Sequence, residues 1–281
     1  MVAPLSVYQA IFLGIVQGLT EFLPISSSGH LLVLRWLFGW PLTNDASALG
    51  KTFDVALHCG TLIALFAYYA RDAIVLVAAW LRSIWRRRIA QPTERLAWLI
   101  IVTMIPAGLF GYFGEELIEQ RLGWPVLISL NLIFFGLVLA LAEKIGRKQR
   151  AAEEVRLRDA VAIGCAQALA LFPGVSRSGI TITAGLFLGL KRDAAARFTF
   201  LMSLPIIAAT AFYKGAHLAK AGIPAGMGLP FCAGVVASAL SGYAAVAFLI
   251  RLLQRRTVYP FVWYRIAAGL GFLGLWLARA R

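Results

Sequence analysis

The stretch that decides the fold is Gly14-Ile-Val-Gln-Gly-Leu-Thr-Glu-Phe-Leu-Pro-Ile-Ser-Ser-Ser-Gly-His30, because the chain repeats its pattern as Gly164-Cys-Ala-Gln-Ala-Leu-Ala-Leu-Phe-Pro-Gly-Val-Ser-Arg-Ser-Gly-Ile180. When the two copies are aligned at an offset of 150 residues, seven of the seventeen positions are identical. In both copies an apolar segment breaks at Pro and Gly into a serine-rich turn. A polar break that occurs twice inside apolar sequence predicts one site built from two halves.

The composition indicates that lipid surrounds the chain. Of its residues, 60% are hydrophobic and only 14% are charged, and the mean hydropathy is +0.78. A soluble globule carries more charge than this. A helix needs about 17 to 25 apolar residues to cross a bilayer. We predict an all-α integral membrane protein with six such crossings, at residues 53–69, 97–113, 126–142, 198–213, 228–250 and 260–278.

The basic residues indicate the topology. The formal net charge is +14, but Lys and Arg are concentrated in the connectors at 82–88, 144–158 and 251–256. Because connectors rich in Lys and Arg stay in the cytoplasm, we place these three there. We place the acid-rich segment 114–120 and the small segment 222–228 outside. This distribution argues against nucleic acid as a partner.

The two halves of the chain have opposite orientations in this scheme. Each half has a broken segment, at about 5–39 and 159–190, followed by three crossings. Because the number of crossings in the first half is odd, the second half enters the membrane in the opposite orientation. We predict an inverted-topology repeat with a first repeat at 1–142, a basic cytoplasmic linker at 143–158 and a second repeat at 159–281. The broken segments are predicted to be two re-entrant helical hairpins that meet near mid-membrane, where irregular backbone must be buried in protein or line a cavity.

The side chains of the two turns favour an anionic ligand. Hydroxyl groups, a guanidinium and exposed N–H groups at a helix start bind phosphate oxygens. The residues concerned are Ser26, Ser27, Ser28 and His30 in the first copy, and Ser176, Arg177, Ser178 and Thr181 in the second. Each hydroxyl could equally be a packing or capping group, and His30 could be structural.

Glu21 adds a group that an anion site alone does not need. It lies four residues after Gln17, on the same helix face, and a carboxylate inside a membrane is costly enough to indicate function. It could hold a divalent cation or act as a general acid or base. Together with Arg177 it suits phosphoryl transfer. Asp54 and His58, early in a crossing, either join this cavity or make buried polar contacts.

Residues 17–30 and 173–181 resemble the two signature motifs of the bacterial undecaprenyl-diphosphate phosphatases, also called bacitracin-resistance proteins. The resemblance covers essentially the whole chain in length, spacing and hydropathy. Its Glu/Gln-x-x-x-Glu pattern is filled by Gln17 and Glu21. Many members carry Glu where this chain has Gln17, which argues against a mechanism that requires two carboxylates there.

The resemblance implies a multi-pass enzyme of the bacterial cytoplasmic (inner) membrane. Its expected reaction is hydrolysis of undecaprenyl diphosphate, a C55 isoprenyl diphosphate lipid, to undecaprenyl phosphate plus phosphate. This reaction recycles the lipid carrier for cell-wall synthesis and confers bacitracin resistance. The resemblance also implies a divalent cation, Mg²⁺ or Ca²⁺, and we expect an active site that opens to the outer face. A homodimer is compatible with the sequence.

Carried over to this chain, the resemblance gives Glu21 a role in metal binding or proton transfer. Arg177 would bind the diphosphate. Ser27 or His30 would be the nucleophile or its base, and the sequence leaves both assignments open. The residues predicted to bind substrate are Gln17, Ser26, Ser28, Ser176, Ser178 and Thr181.

A second class of function stays open at this point. Inverted repeats with broken helices are also the architecture of transporters, so the chain could be a flippase for polyprenyl phosphate. A carrier presents similar half-sites alternately, whereas Glu21 and His30 align with Leu171 and Ile180 in the second copy. This chemical asymmetry favours catalysis.

Overall fold

Ten α-helices follow one another in the computed structural model, which describes residues 5–40, 48–121, 124–221 and 226–279. They are α1 (Val7–Phe22), α2 (Ser27–Phe38), α3 (Ala48–Trp85), α4 (Pro92–Arg121), α5 (Pro125–Ile145), α6 (Leu157–Ala168), α7 (Arg177–Phe187), α8 (Arg192–Ala221), α9 (Gly228–Arg255) and α10 (Tyr259–Arg279). Two short 3-10 helices, Ala152–Glu154 and Leu169–Leu171, lie on either side of α6. Within these ranges the only β pairing is an isolated bridge between Arg150 and Leu190. The predicted all-α class is confirmed.

Five of the described helices are long and apolar enough to cross a membrane. Their apolar portions are Thr52–Trp85, Pro92–Gly114, Pro125–Ile145, Gly228–Arg255 and Tyr259–Arg279, and each contains a predicted crossing. The sixth predicted crossing, 198–213, lies inside α8, which is not one of the five. The first turns of α8 carry Arg192, Asp193 and Arg197. The fold is that of a multi-pass helical membrane protein.

One of the two connectors predicted to face outward is part of a helix. The acid-rich segment 114–120 is helical and continues α4 as far as Arg121. Its Glu, Leu and Gln residues are good helix formers, which accounts for the difference. The segment 222–228 lies mostly outside the described residues, and α9 begins at Gly228.

The two broken segments have the same helical pattern. α1 and α6 begin at Val7 and Leu157, and α2 and α7 begin at Ser27 and Arg177, which is the same offset of 150 residues in both cases. A short turn separates the helices of each pair, as the sequence predicts. The re-entrant course, the inverted orientation of the halves and the boundaries at 142 and 158 stay predictions.

Each half contributes a helix that packs into the other half. α1 packs against α9, and α6 packs against α4. The aligned residues Gly14 and Gly164 make both contacts close. A Cβ atom on Gly14 would lie 2.4 Å from the Gly234 oxygen, and one on Gly164 would lie 2.8 Å from the Thr103 oxygen. Small residues at helix contacts are typical of membrane bundles.

Three irregular helices form the space around the turns. α3 has a non-helical residue, Tyr69, with φ −107° and ψ 23°. α4 and α8 contain Pro106 and Pro205 within their helical spans. Proline in a helix interior removes a backbone hydrogen bond and bends the helix. These three helices line both of the cavities described below.

The segment between α5 and α6 is held against the second half. The Arg150 guanidinium donates to the Leu188 carbonyl at 2.8 Å and to the Asp159 carboxylate. At the end of α5, Glu143 accepts hydrogen bonds from Arg192 at the start of α8. These contacts tie the basic linker to the ends of α7 and α8.

Candidate active site

A cavity of about 560 Å³ lies where the two serine turns meet α3, α4 and α8. The two turns and the helices that they join supply most of its polar lining, and α4 and α8 supply most of its apolar lining. The polar groups drawn from the two turns with the starts of α2 and α7, and from α1, α3 and α6, are Thr20, Glu21, Ser26, Ser27, Ser28, His58, Gln167, Ser176 and Arg177. The structure thus places the two polar breaks of the chain around one space.

The two turns have the same backbone conformation. Ser26 and Ser176 cap the N-termini of α2 and α7 with φ of 75° and 74°, a left-handed conformation that is strained for serine. The Oγ atom of Ser26 accepts a hydrogen bond from the Gly29 N–H at 3.4 Å, and that of Ser176 accepts from the Gly179 N–H at 3.1 Å. The first residues of α2 and α7 both line the cavity. Two helix N-termini therefore lie at it, and both favour an anion.

Glu21 is the centre of the polar cluster. Its Oε2 atom accepts hydrogen bonds from the Ser27 hydroxyl at 2.7 Å and from Gln17 Nε2 at 3.1 Å. Its Oε1 atom forms an ion pair with Arg177. The imidazole Nε2 of His58 lies 3.7 Å from Oε2. The buried carboxylate therefore neutralises Arg177 and contacts a hydroxyl that faces the cavity.

His58 and Asp54 take different positions. His58 lines the cavity, which is one of the two alternatives predicted from the sequence. Its Nδ1 atom lies 2.7 Å from the Asp54 carbonyl oxygen. That oxygen can only accept, so Nδ1 carries the proton and Nε2 faces Glu21. The Asp54 carboxylate instead pairs with the buried Arg35. Asp54 thus follows the other alternative, a polar contact, in which Arg35 is buried and Asp54 is half-buried.

His30 lies beside the cavity and does not line it. Its Nδ1 lies 2.7 Å from the Ser26 carbonyl oxygen, and its Nε2 lies 2.7 Å from the Tyr264 hydroxyl. The carbonyl fixes the proton on Nδ1, so Nε2 accepts from Tyr264. Both ring nitrogens of His30 are occupied by protein groups.

Three of the residues predicted to bind substrate lie outside the cavity lining. Gln17 is fully buried and donates to Glu21. The Ser178 hydroxyl donates to the Leu23 carbonyl at 3.1 Å, which joins the second turn to the first. The Thr181 hydroxyl donates to the Arg177 carbonyl at 2.8 Å. The other residues predicted to bind substrate, Ser26, Ser28 and Ser176, line the cavity, and Ser26 and Ser176 also cap α2 and α7.

A family model described as Bacitracin resistance protein BacA matches residues 10–271. The chain belongs to this family. It is 51% identical over 276 residues to a protein of Geobacter sulfurreducens, covering 98% of this chain and 100% of that one. It is 50% identical over 266 residues to a protein of Pelobacter propionicus, covering 94% and 95%, and 47% identical over 279 residues to one of Moorella thermoacetica, covering 98% and 100%. All three relatives are named undecaprenyl-diphosphatase.

The site of this BacA-family chain includes residues that the sequence analysis did not single out. Gln167 lines the cavity, and the alignment already paired it with Gln17. Tyr264 bonds to His30, and its neighbour Arg265 contacts both turns. The signal for Arg265 was present, because an arginine within an apolar crossing is costly and indicates function. Tyr264 carried no such signal, since tyrosine is common at membrane interfaces.

Proposed function

We propose that this chain hydrolyses undecaprenyl diphosphate to undecaprenyl phosphate and inorganic phosphate. The observation that carries the proposal is the contact of the Ser27 hydroxyl with the Glu21 carboxylate, beside Arg177, at a cavity where two helices begin. Phosphoryl transfer needs a nucleophile, a proton acceptor and neutralisation of charge. The name shared by the relatives, undecaprenyl-diphosphatase, supports the same substrate.

Ser27 is the nucleophile that the geometry supports. Glu21 can accept the Ser27 proton as Oγ attacks the terminal phosphorus. The bond between that phosphorus and the bridging oxygen then breaks, the lipid monophosphate leaves, and water hydrolyses the phosphoserine. His30 has no free nitrogen to attack phosphorus, because the Ser26 carbonyl and Tyr264 hydroxyl occupy both.

Arg177 neutralises the charge of the diphosphate in this scheme. Its guanidinium pairs with Glu21 when no substrate is bound, and its planar donors can bind two phosphate oxygens at once. The incoming diphosphate therefore competes with Glu21 for Arg177. The N-termini of α2 and α7 add partial positive charge at the same place.

The donors at the cavity fit a divalent cation that the substrate helps to hold. Among the described residues, Glu21 is the one carboxylate in the cavity lining, and these residues include no cluster of three His, Cys, Asp or Glu side chains suited to a metal. Mg²⁺ often binds through one or two carboxylates together with substrate phosphates. Glu21 and His58 would be the protein ligands of Mg²⁺ or Ca²⁺. When bound, the cation would neutralise charge on the diphosphate oxygens.

A second cavity, of about 690 Å³, suits the isoprenoid tail. It lies between α3, α4 and α8, and its lining is almost wholly apolar. The two linings follow one another along α4, where Ile101 lines the apolar cavity and Met104, about one turn on, lines the polar one. A lipid could therefore place its head group at Ser27 and its tail between these helices without leaving the membrane.

The cavity is proposed to open toward the outer face of the inner membrane. The basic segment 82–88 begins in the last turn of α3, and basic connectors stay in the cytoplasm. The cavity contacts α3 at His58 and α4 as far as Tyr112, which are the ends remote from that segment. The inverted orientation of the two repeats belongs to the same proposal.

Phosphate release tests this function. Purified protein in detergent is given undecaprenyl diphosphate with Mg²⁺, Ca²⁺ or a chelator, and wild type is compared with Ser27→Ala. The control is Ser241→Ala, which removes a hydroxyl that bonds the Ala237 carbonyl of α9 outside the cavity. We expect release by wild type and the control, and a loss of about a thousandfold or more in Ser27→Ala. Absence of release from folded wild type under every condition would refute the phosphatase and favour a polyprenyl-phosphate flippase.

A further inference from the structure

Arg265 is a fully buried arginine in the middle of the bundle. None of the ion pairs among the described residues involves it. Its guanidinium instead donates to backbone carbonyls at 3.0 to 3.4 Å, those of Pro24, Asn131, Leu132, Gly174 and Val175. A cation in this position is costly, and here carbonyl dipoles compensate for the lost hydration.

Three of the five carbonyls that Arg265 contacts belong to the two serine turns, and the other two, those of Asn131 and Leu132, belong to α5. Pro24 lies just after α1 and two residues before Ser26, and Val175 directly precedes Ser176. A cation is favourable at the C-terminal end of a helix, where carbonyls lack partners. One guanidinium therefore fixes the end of α1 and the second turn with respect to each other.

In the first half of the chain, α5 makes a related contact with the second turn. Asn131 lies six residues after the start of α5, as Arg265 does in α10. Its Nδ2 atom donates to the Pro173 carbonyl at 2.8 Å, at the start of the second turn. Space around Arg265 is also restricted, because a Cβ atom on Gly179 would lie 2.8 Å from its Nη1. The last helix of each half thus holds a turn through a side-chain donor.

We propose that Arg265 is a positioning residue for the reaction. It does not line the cavity, so it acts through the backbone of the turns. By holding the two turns together, it keeps Ser27 and Glu21 at a fixed distance from Arg177. The proposal rests on the phosphatase function proposed above. A displacement of about 1 Å between reacting groups can cost about a hundredfold in rate.

The test compares Arg265→Met and Arg265→Lys with wild type. Methionine keeps much of the side-chain length and removes every donor, whereas lysine keeps the charge and three donors. The control is Arg192→Met, which breaks the pair with Glu143 away from the cavity. We expect kcat for phosphate release to fall about a hundredfold in Arg265→Met with KM little changed. Arg265→Lys should be intermediate, and Arg192→Met should keep the wild-type kcat.

Amide hydrogen exchange supplies a readout that does not depend on activity. In Arg265→Met, exchange should accelerate in residues 23–30 and 173–180 and stay unchanged in α9, whereas a general loss of stability would accelerate exchange throughout. If wild type releases no phosphate, the proposed phosphatase function is refuted. The exchange measurement then still tests whether Arg265 holds the two turns together. A wild-type kcat in folded Arg265→Met, or uniformly faster exchange, would overturn the proposal. If the methionine variant does not fold, the same two outcomes in Arg265→Lys decide it.

Discussion

Replacing Glu21 by glutamine should separate binding of the diphosphate from its hydrolysis. In the free protein the Glu21 carboxylate pairs with Arg177 and accepts the Ser27 hydroxyl hydrogen bond. Glutamine has nearly the same shape but no charge and no basic oxygen. The Glu21→Gln variant therefore cannot take up the Ser27 proton, and it no longer competes with phosphate for Arg177.

The contacts of Glu21 set the expected size of the two effects. A hydrogen bond to a charged group contributes about 1.5 to 3 kcal/mol net, and the Arg177 side chain is 21% exposed, which places the pair at the lower end of that range. Release of this competition should tighten diphosphate binding about tenfold, since about 1.4 kcal/mol corresponds to that factor. Loss of the proton acceptor should lower kcat by about a hundredfold to ten-thousandfold.

The assay measures binding of radiolabelled undecaprenyl diphosphate and phosphate release on the same protein samples. Binding is measured in chelator, so that a cation held by Glu21 does not contribute. Arg177→Met is the comparison variant, and it should weaken binding as well as turnover because it removes the phosphate ligand itself. If folded Glu21→Gln binds the diphosphate more weakly than wild type in chelator, the competition inferred from the Arg177 contact is wrong.

Three further predictions concern the nucleophile, the imidazole and the tail. Ser27→Cys should still form a covalent phosphoryl-enzyme with labelled substrate, at a reduced rate, whereas Ser27→Ala should form none; a labelled Ser27→Ala protein would remove Ser27 as nucleophile. His30→Asn keeps a donor for the Ser26 carbonyl, so its kcat should stay close to that of wild type, whereas the kcat of His30→Ala should fall. An equal loss of kcat in both variants in steady-state assays would argue for attack by the imidazole. Ala208→Trp should fill the apolar cavity and lower kcat/KM for a C55 diphosphate more than for a C15 diphosphate; equal kcat/KM losses would place the tail elsewhere.

The local features of the fold could be predicted from the sequence because they depend on nearby residues. Pro24 and the serines that follow it end α1 and begin α2, and the second copy behaves in the same way. Apolar length fixes most of the crossings. The segment 114–120 was predicted less well, because an acid-rich stretch of good helix formers has the same composition in a loop as at the end of a helix.

The partners of the polar groups could not be predicted from the sequence. Glu21 and Arg177 are 156 residues apart, and His30 and Tyr264 are 234 residues apart. Periodicity within a helix gives the face of a side chain but not which distant helix packs against it. No acid lies near Arg177 in the sequence, and the structure supplies one, Glu21, from the other half of the chain.

The duplication explains why the two halves resemble each other in backbone and differ in chemistry. Both turns have a capping serine with positive φ, followed by a helix N-terminus. Each of the two helix N-termini favours an anion. Catalysis also needs a nucleophile and a positive charge close together, and the aligned positions of Ser27 and Arg177 supply one each. Because these two groups come from different halves, their separation depends on how the halves meet. The proposed chemistry therefore depends on contacts that join the two turns, such as those of Arg265, as well as on the residues that touch the substrate.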